Sequence, residues 1–477
     1  MPPALQSLFF DPADPRAALT QLPRAQAVFA LYGADARGEP YIGRTPNLRA
    51  RLEKLLQPSA KHPRRLHLAG LVREIRWRLA GSEFESLLAQ FSLLEEIYGA
   101  RALERMHLRA PAFVRFLGGN PYPRITVTNR PSLREAAWAY GPFPSRAAAE
   151  RFAEEALKLF LLRRCTDDLA PSPSHPGCVY SEMKMCLAPC YQGCTDERYA
   201  EEAAAVEGFL ATRGESRLVT LRTERDQASA DLAFETAAAI HAQVERIEAV
   251  RALAAELVRP LSQLRAVILQ ASANPGEVAV FLFESGRLRG PASFSTLGMR
   301  IQNEQSGSTS LFAQPVAIEP VPERPETRDQ CNEGTREQTS EEASMSADAS
   351  SKALQGRDFS RAGSSPQNEE ALTPVAPIAW AKIARGMLES RLEGALAELA
   401  APVGPASATI RQGHLALLKR WYYRPEARRA GEIFFPGVEG RWPIKAILRG
   451  IGRVAVSQSN PSRKDSMQPP RLAGPAA

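Results

Sequence analysis

The sequence predicts a multidomain protein of the α/β (α+β) class, and three patterns along its 477 residues support this. Two short apolar runs, 28–32 and 41–44, flank a Gly-containing loop, which is typical of a β-hairpin. Residues 200–257 keep the apolar spacing of helices, with a division near Gly214. Residues 321–370 hold one aromatic residue and eleven acids against six bases, which predicts a disordered linker rather than a packed core.

Charge and hydropathy limit the classes of function open to the chain. Its formal net charge is +7, and between Tyr41 and Ala80 ten Lys or Arg residues face two acids. Such a local excess suits a phosphate backbone, although a solvated helix face would have the same composition. No run reaches the roughly 18 apolar residues of a membrane span, and the first twelve residues lack the features of a signal peptide. We therefore expect a cytoplasmic protein without a membrane partner, in which thiols stay reduced.

The most informative motif is Tyr41-Ile42-Gly43-Arg44, which ends the predicted hairpin. After it, Asn47 precedes a helix whose apolar positions are Leu48, Leu52 and Leu55/Leu56, and whose basic residues include Arg51. A tyrosine can orient or deprotonate a water molecule, and an arginine can hold phosphate oxygens bidentately. The stretch resembles the YIG half of the GIY-YIG nuclease domain, in the form found in the UvrC family of excinuclease subunits. This resemblance continues to about residue 255.

The resemblance implies hydrolysis of one DNA strand with a single divalent ion, Mg²⁺. Tyr41 and Gly43 match the tyrosine and glycine of the YIG half, and Arg51 matches the arginine that steadies the phosphate. Arg44 stands where the family usually has a lysine, which keeps the charge but changes the hydrogen-bonding geometry.

Three other positions depart from the family. Phe29 replaces the tyrosine of the GIY half, Gln90 replaces the metal-binding glutamate, and Val114 aligns with an asparagine. An amide is a poorer Mg²⁺ ligand than a carboxylate, and losing one transition-state electrostatic group costs about 10²–10³ in rate. We therefore expect weak or lost incision; the alternative is an active structure-specific endonuclease that nicks one strand beside a lesion.

No nearby acid is expected to replace Gln90. The helix that carries it begins with a capping box, Ser82 to Glu85, and ends near Gly99. Glu85 and Glu95, each five residues away, point about 140° away from Gln90, because a helix turns by about 100° per residue. Glu85 also has its capping role. Glu83 shares the face of Gln90 but lies about two turns away.

A second motif is a cluster of cysteines between residues 165 and 194. Cys165, Cys178, Cys186 and Cys190 have intervals that allow them to converge on one soft metal or cluster, and Cys194 is additional. The phrase Cys186-Leu187-Ala188-Pro189-Cys190 resembles one in the UvrC family, which implies a [4Fe-4S] cluster. Zinc is the alternative, because four cysteines suit both; separately buried thiols would not bunch in this way.

A third motif lies in the helical region. Residues 228–240 resemble the UVR motif, a helical hairpin that engages UvrB, which implies a UvrB-like partner. The residues expected to bind it are Leu232 and Phe234 at the turn, with Ile240 and Val244 on the second helix. His241-Ala242 replaces the usual Arg-Asp pair, and an internal packing helix is the alternative interpretation.

These motifs divide the chain into expected domains. They are the GIY-YIG nuclease-like domain 24–105, a linking region with the cysteine site 106–200, a helical region with the UVR hairpin 201–257, a short β segment 262–302, a disordered linker 303–372 and a C-terminal helical or mixed domain 376–450. In the last of these, residues 419–424 either stack bases or form a buried amphipathic helix. The whole is interpreted as a UvrC-like component of nucleotide excision repair that binds DNA and a UvrB-like protein.

Overall fold

A computed structural model gives the fold. It describes residues 5–35, 38–57, 68–131, 138–166, 168–297, 299, 377–437 and 439–459. Residues 1–306 together with 384–477 form one compact unit, and residues 307–383 form another, of which only the start of one helix is described. The predicted linker, 303–372, lies outside the described residues.

The first part of the chain forms a four-stranded antiparallel sheet with helices on both faces. Its strands are β1 (Gln6–Phe9), β2 (Ala27–Gly33), β3 (Tyr41–Thr45) and β4 (Val72–Leu79), in the order β1-β4-β2-β3. Its helices are α1 (Pro15–Gln21), α2 (Leu48–Leu56) and α3 (Glu83–Tyr98). The predicted hairpin is therefore confirmed as β2 and β3.

The alternation of side chains along β2 separates two cores. Phe29 and Leu31 pack with α1 and α2, whereas Val28 and Ala30 pack with Ala89 and Leu93 of α3. Opposite residues of a strand pair share a face, so the register between β2 and β3 also assigns the side chains of β3 to these two faces.

A second sheet, with helices packed against it, forms the middle of the chain. Its strands are β5 (Ala112–Phe116), β6 (Ile125–Thr128), β7 (Ala139–Phe143) and β8 (Arg259–Pro260), in the order β6-β5-β7-β8. The helices of this part are α5 (Arg146–Leu157), α6 (Val179–Glu182), α7 (Asp196–Ala211), α8 (Glu215–Ala230) and α9 (Phe234–Ala252). The short helix α4 (Ala102–Arg105), which precedes β5, packs instead with α3 and with α11 (Ala408–Tyr422). The predicted helical hairpin corresponds to α8 and α9.

A third antiparallel sheet joins two distant parts of the chain. Its strands are β9 (Ala266–Ala271), β10 (Glu277–Glu284), β11 (Arg287–Ser295) and β12 (Glu432–Phe434), in the order β11-β10-β9-β12. The last helices are α10 (Pro377–Ala400), α11 (Ala408–Tyr422) and α12 (Ile444–Ser459). The segments 262–302 and 376–450 are predicted from the sequence as separate domains. Because β12 pairs with β9, both contribute strands to one sheet.

Helix α3 is shared by the first and third sheets. One side packs on β2, and the other packs Phe84, Leu87 and Phe91 against residues of β9, β10 and α11. Two glycines allow this close approach. A Cβ atom on Gly413 of α11 would lie 2.1 Å from Phe91 Cζ, and one on Gly81 would lie 2.1 Å from the carbonyl carbon of Ser272.

Residues 419–424 belong to this packing. Trp421 is buried, and its indole Nε1 donates a hydrogen bond to the carbonyl oxygen of Ala430 at 2.9 Å. The Tyr423 hydroxyl donates to the carbonyl oxygen of Pro142 at 2.9 Å. The prediction of a buried amphipathic helix is confirmed, and base stacking by Trp421 is excluded because its ring is already packed. Within the described part of the chain, no helix combines the length and apolarity needed to cross a membrane.

Candidate functional site

Tyr41 and Arg51 meet at the edge of the first sheet. The Asn47 side chain caps α2 by accepting a hydrogen bond from the Ala50 backbone N–H at 3.0 Å. That cap fixes the start of the helix and thereby the position of Arg51, whose Nη2 lies 3.5 Å from the Tyr41 hydroxyl oxygen. A hydroxyl and a guanidinium side by side can contact one phosphate group and an adjacent water molecule.

Phe29 lies beneath this pair as a core residue. It is fully buried, and its ring centroid lies 6.2 Å from that of Tyr41. A Cβ on Gly43 would come within 2.7 Å of Phe29 Cζ, so the glycine of the motif makes room for the ring. Phe29 thus supports Tyr41 by packing and offers the site no hydrogen-bonding group.

Arg44 points to the other face of the sheet. Its partner across the strand pair is Val28, on the α3 side, whereas Tyr41 pairs with Leu31 on the α2 side. There Arg44 Nη1 lies 3.5 Å from Glu83 Oε1. The structure therefore does not bring Arg44 to the Tyr41–Arg51 pair, although both lie on the edge strand.

Gln90 lies in the middle of α3, seven residues after Glu83 and thus on nearly the same side of the helix. Its side chain is partly exposed, between the buried residues Ala89 and Phe91. Because α3 covers the sheet face opposite α2, a side chain at position 90 can approach the Tyr41–Arg51 pair only around the edge strand β3. Tyr41, Phe29 and Arg51 form one group on the α2 side of the sheet, and Arg44 and Gln90 lie on the α3 side of the same edge strand.

The two acids nearest to Gln90 in the first turn of α3 already have partners. Ser82 caps the helix as predicted, but the Glu85 carboxylate accepts from the Gly81 N–H at 2.8 Å rather than from Ser82. Glu85 is buried, and this burial raises its pKa. Glu83 accepts two hydrogen bonds from Arg424, which with Arg44 holds the pKa of Glu83 below its usual range.

The alignment of Val114 with a site asparagine is wrong. Val114 is fully buried in the core of the second sheet, and it pairs with Val127 of β6 and Tyr140 of β7. A side chain at this position faces packed apolar groups and reaches no metal site.

Sequence reasoning missed Arg424 as a neighbour of the site. Its Nη1 and Nη2 each lie 2.8 Å from a carboxylate oxygen of Glu83, across 341 positions of the chain. No local pattern pairs these residues; only the packing of α11 on α3 brings them together.

The basic stretch after Tyr41 is partly used inside the protein. Arg49 Nε donates to the Leu22 carbonyl oxygen at 2.7 Å, and Arg76 makes two hydrogen bonds to the Glu74 carboxylate, at 2.8 and 2.9 Å. These groups are less available to a phosphate backbone than their number in the sequence implies.

The four cysteines of the second motif lie near enough to influence one another. Burial raises the pKa of Cys186 and of Cys190, and the charges of Cys165 and Cys178 raise both further. Cys190 is buried, and the other three are partly exposed. Among the residues with described positions, no three His, Cys, Asp or Glu side chains are arranged as a ready metal-binding group. Four thiols are donors that suit a soft metal. Their described positions, however, do not form a closed ligand shell.

The tip of the α8–α9 hairpin exposes two large apolar side chains. Leu232 is 72% exposed and has a φ of +61°, and Phe234, at the start of α9, is 65% exposed. Val244 is only 3% exposed and packs in the core with Ile247 and Val250.

The prediction that Val244 binds a partner is therefore wrong, because the apolar stripe of α9 is covered from within the chain. Ile240 is partly buried against the same core, so the surface free for docking is the turn with Leu232 and Phe234. The interpretation as an internal packing helix is correct for the second half of α9.

Comparisons with known proteins match the middle of the chain. Residues 114–209 match the middle domain of the UvrC/Cho excinuclease family, and residues 215–250 match the UvrB/uvrC motif. These segments correspond to the second sheet with its helices and to the α8–α9 hairpin. The resemblance to the UvrC family is thereby confirmed for this part of the chain.

Similar curated proteins bear the name UvrABC system protein C. The chain is 29% identical to that of Alcanivorax borkumensis over 238 residues, which cover 50% of this chain and 39% of the relative. It is 27% identical to that of Pseudomonas protegens over 294 residues, which cover 60% of this chain and 46% of the relative. The chain thus matches less than half the length of these relatives, and no solved structure matches it.

Proposed function

We propose that the chain acts in nucleotide excision repair as a UvrC-like component that binds DNA and a UvrB-like protein, with weak or lost incision. The proposal that the chain binds a partner rests on the exposed turn of the UVR hairpin. There the neighbouring apolar side chains of Leu232 and Phe234 are open to solvent. DNA binding is supported by the Tyr41–Arg51 pair at the sheet edge.

Weak incision follows from the groups around α3. Gln90 stands where the family resemblance places a metal-binding carboxylate, and the nearest acids on the first turn cannot replace it without losing their own partners. Glu85 is buried and bonded to the Gly81 N–H, and Glu83 is held by Arg424. Mg²⁺ would therefore lack a charged ligand from the first turn of this helix. An active nuclease is the second candidate, favoured by the intact contact between Tyr41 and Arg51.

Partner binding should depend on the tip of the hairpin. Phe234→Ala is expected to weaken binding to a UvrB-like protein by about 1–3 kcal/mol, because a buried aromatic anchor typically dominates such an interface. Isothermal titration of the full chain measures this. Val219→Ala, which removes an exposed apolar side chain elsewhere on α8, serves as the control and should leave the affinity unchanged. Equal affinity of the Phe234→Ala variant and the parent would contradict the proposed docking surface.

The cysteine cluster is proposed to hold a [4Fe-4S] cluster, with zinc as the alternative, through Cys165, Cys178, Cys186 and Cys190. When bound, either group would cross-link the loops between α5 and α7. The thiols themselves contribute by giving up their protons, which their raised pKa values make harder in the metal-free protein. The ordering of these loops then depends on metal binding.

Protein purified without oxygen should contain about one cluster per chain, and Cys186→Ala or Cys190→Ala should abolish it and lower the melting temperature. Iron, sulfide and zinc analysis with the visible absorption spectrum measures this. Cys331→Ala removes a thiol outside the cluster and should have no effect. Stoichiometric zinc in colourless protein would favour the alternative, and a metal-free protein of unchanged stability would contradict both.

A further inference from the structure

Three arginines from two distant parts of the chain converge on Glu83. Arg424 binds both carboxylate oxygens at 2.8 Å, and Arg44 Nη1 lies 3.5 Å from Oε1. Arg420 lies in the last turn of α11, and Arg424 lies two residues beyond the end of that helix. The charge of Arg420 also acts on the Glu83 carboxylate. The cluster is thus formed by β3, the start of α3 and the end of α11.

This cluster carries more positive than negative charge and is open to solvent. Three guanidinium groups surround one carboxylate, and the side chains of Arg44, Glu83 and Arg424 are 34%, 43% and 27% exposed. Ion pairs this exposed contribute little to stability. Among the described residues, Glu83 is the acid that these arginines share, so two positive charges remain and a competing anion can replace the carboxylate.

The geometry suits a phosphate group. Arginine binds carboxylates and phosphates with the same two parallel hydrogen bonds, and Arg424 has this arrangement toward Glu83. Glu83 is also the first residue of α3, a helix of 16 residues whose N-terminal end favours a negative charge. A phosphate in this place would meet the same donors as the carboxylate.

We propose that Arg44, Arg420 and Arg424 form a binding subsite for a phosphate of the DNA backbone, and that the Glu83 carboxylate occupies it until DNA displaces it. This inference rests on the proposed function, namely that the chain binds DNA. It adds a contact that the C-terminal block supplies, on the sheet face opposite the Tyr41–Arg51 pair. It also gives Arg44 a role in DNA binding, although Arg44 lies on the other face of the sheet from Tyr41.

The test is a measurement of DNA affinity by the full chain. Fluorescence anisotropy with a labelled duplex, from about 50 to 200 mM salt, gives the affinity and its salt slope. Glu83→Gln removes the competing charge, so we expect about three- to tenfold tighter binding and a slope steeper by about 1. Arg420→Ala should weaken binding by a similar factor and reduce the slope by about 1.

Two variants serve as controls, and thermal unfolding verifies that each variant folds. Glu96→Gln changes the same charge at an exposed position of α3, and Arg246→Ala removes an exposed arginine of α9. Neither should alter the affinity by more than about twofold.

The possible results separate this inference from the function on which it rests. If the parent chain binds DNA and Arg51→Ala weakens it, but Glu83→Gln fails to strengthen it, the subsite is wrong and the proposed function stands. If Glu96→Gln strengthens binding as much as Glu83→Gln, net charge explains the effect and the subsite is again wrong. If the parent chain does not bind DNA at all, DNA binding and the subsite fall together.

Discussion

In a nicking assay on damaged duplex with Mg²⁺ and a UvrB-like protein, the parent chain should cut at a rate close to background. Gln90→Glu should restore Mg²⁺ binding first, because a carboxylate holds the ion where an amide does not. The rate should then rise by up to about 10²–10³, the usual effect of one transition-state electrostatic group. It should fall short of full activity because Phe29 offers no hydroxyl and catalytic groups act as a unit.

Gln90→Ala is the control for this comparison, since it alters the same partly exposed position without adding charge, and it should remain inactive. Val114→Asn should not help further, because it buries a polar side chain in the second sheet. Robust nicking by the parent chain, abolished by Tyr41→Phe, would refute the loss of incision. Another acid would then reach the metal.

Gly413→Ala should destabilise the protein by about 1–3 kcal/mol, although alanine favours helices over glycine. The added Cβ would lie 2.1 Å from Phe91 Cζ, and Phe91 is 1% exposed, so its ring has no free space into which to move. Chemical denaturation followed by circular dichroism gives the free energy of unfolding.

Gly394→Ala provides the opposite case, because Gly394 lies in α10 with no atom within 4 Å of an added Cβ. It should stabilise the protein by up to about 1 kcal/mol. Phe91→Leu combined with Gly413→Ala should recover part of the loss, since the two positions are coupled through contact. A stabilising effect of Gly413→Ala would mean that α11 does not pack closely on α3.

Local features of the fold were predictable from sequence, because short-range patterns determine them. Ser82 caps α3 as the sequence predicts, and the Gly-containing loop joins β2 and β3 as expected. Gly99, with a φ of +54°, ends α3. Each of these features depends on residues within a few positions of one another.

The composition of the site was less predictable, because it depends on which surface each helix meets. The stripe of α9 that includes Val244 has the pattern of a docking surface, yet the middle of the chain covers it. Likewise, Glu83 has no partner within its own segment, and Arg424 lies 341 residues away. Periodicity identifies an apolar or charged face but does not identify what covers it.

The close packing of α3 against α11 has a consequence for biosynthesis. At about 5–20 residues per second, a ribosome needs roughly 20–70 s to add the 341 residues between Glu83 and Arg424. During this time the first sheet can form, but Phe84, Leu87 and Phe91 lack the apolar surface that later covers them. Nascent chains of this length should therefore bind chaperones or aggregate, and the first sheet should become resistant to proteolysis only after α11 has left the ribosome.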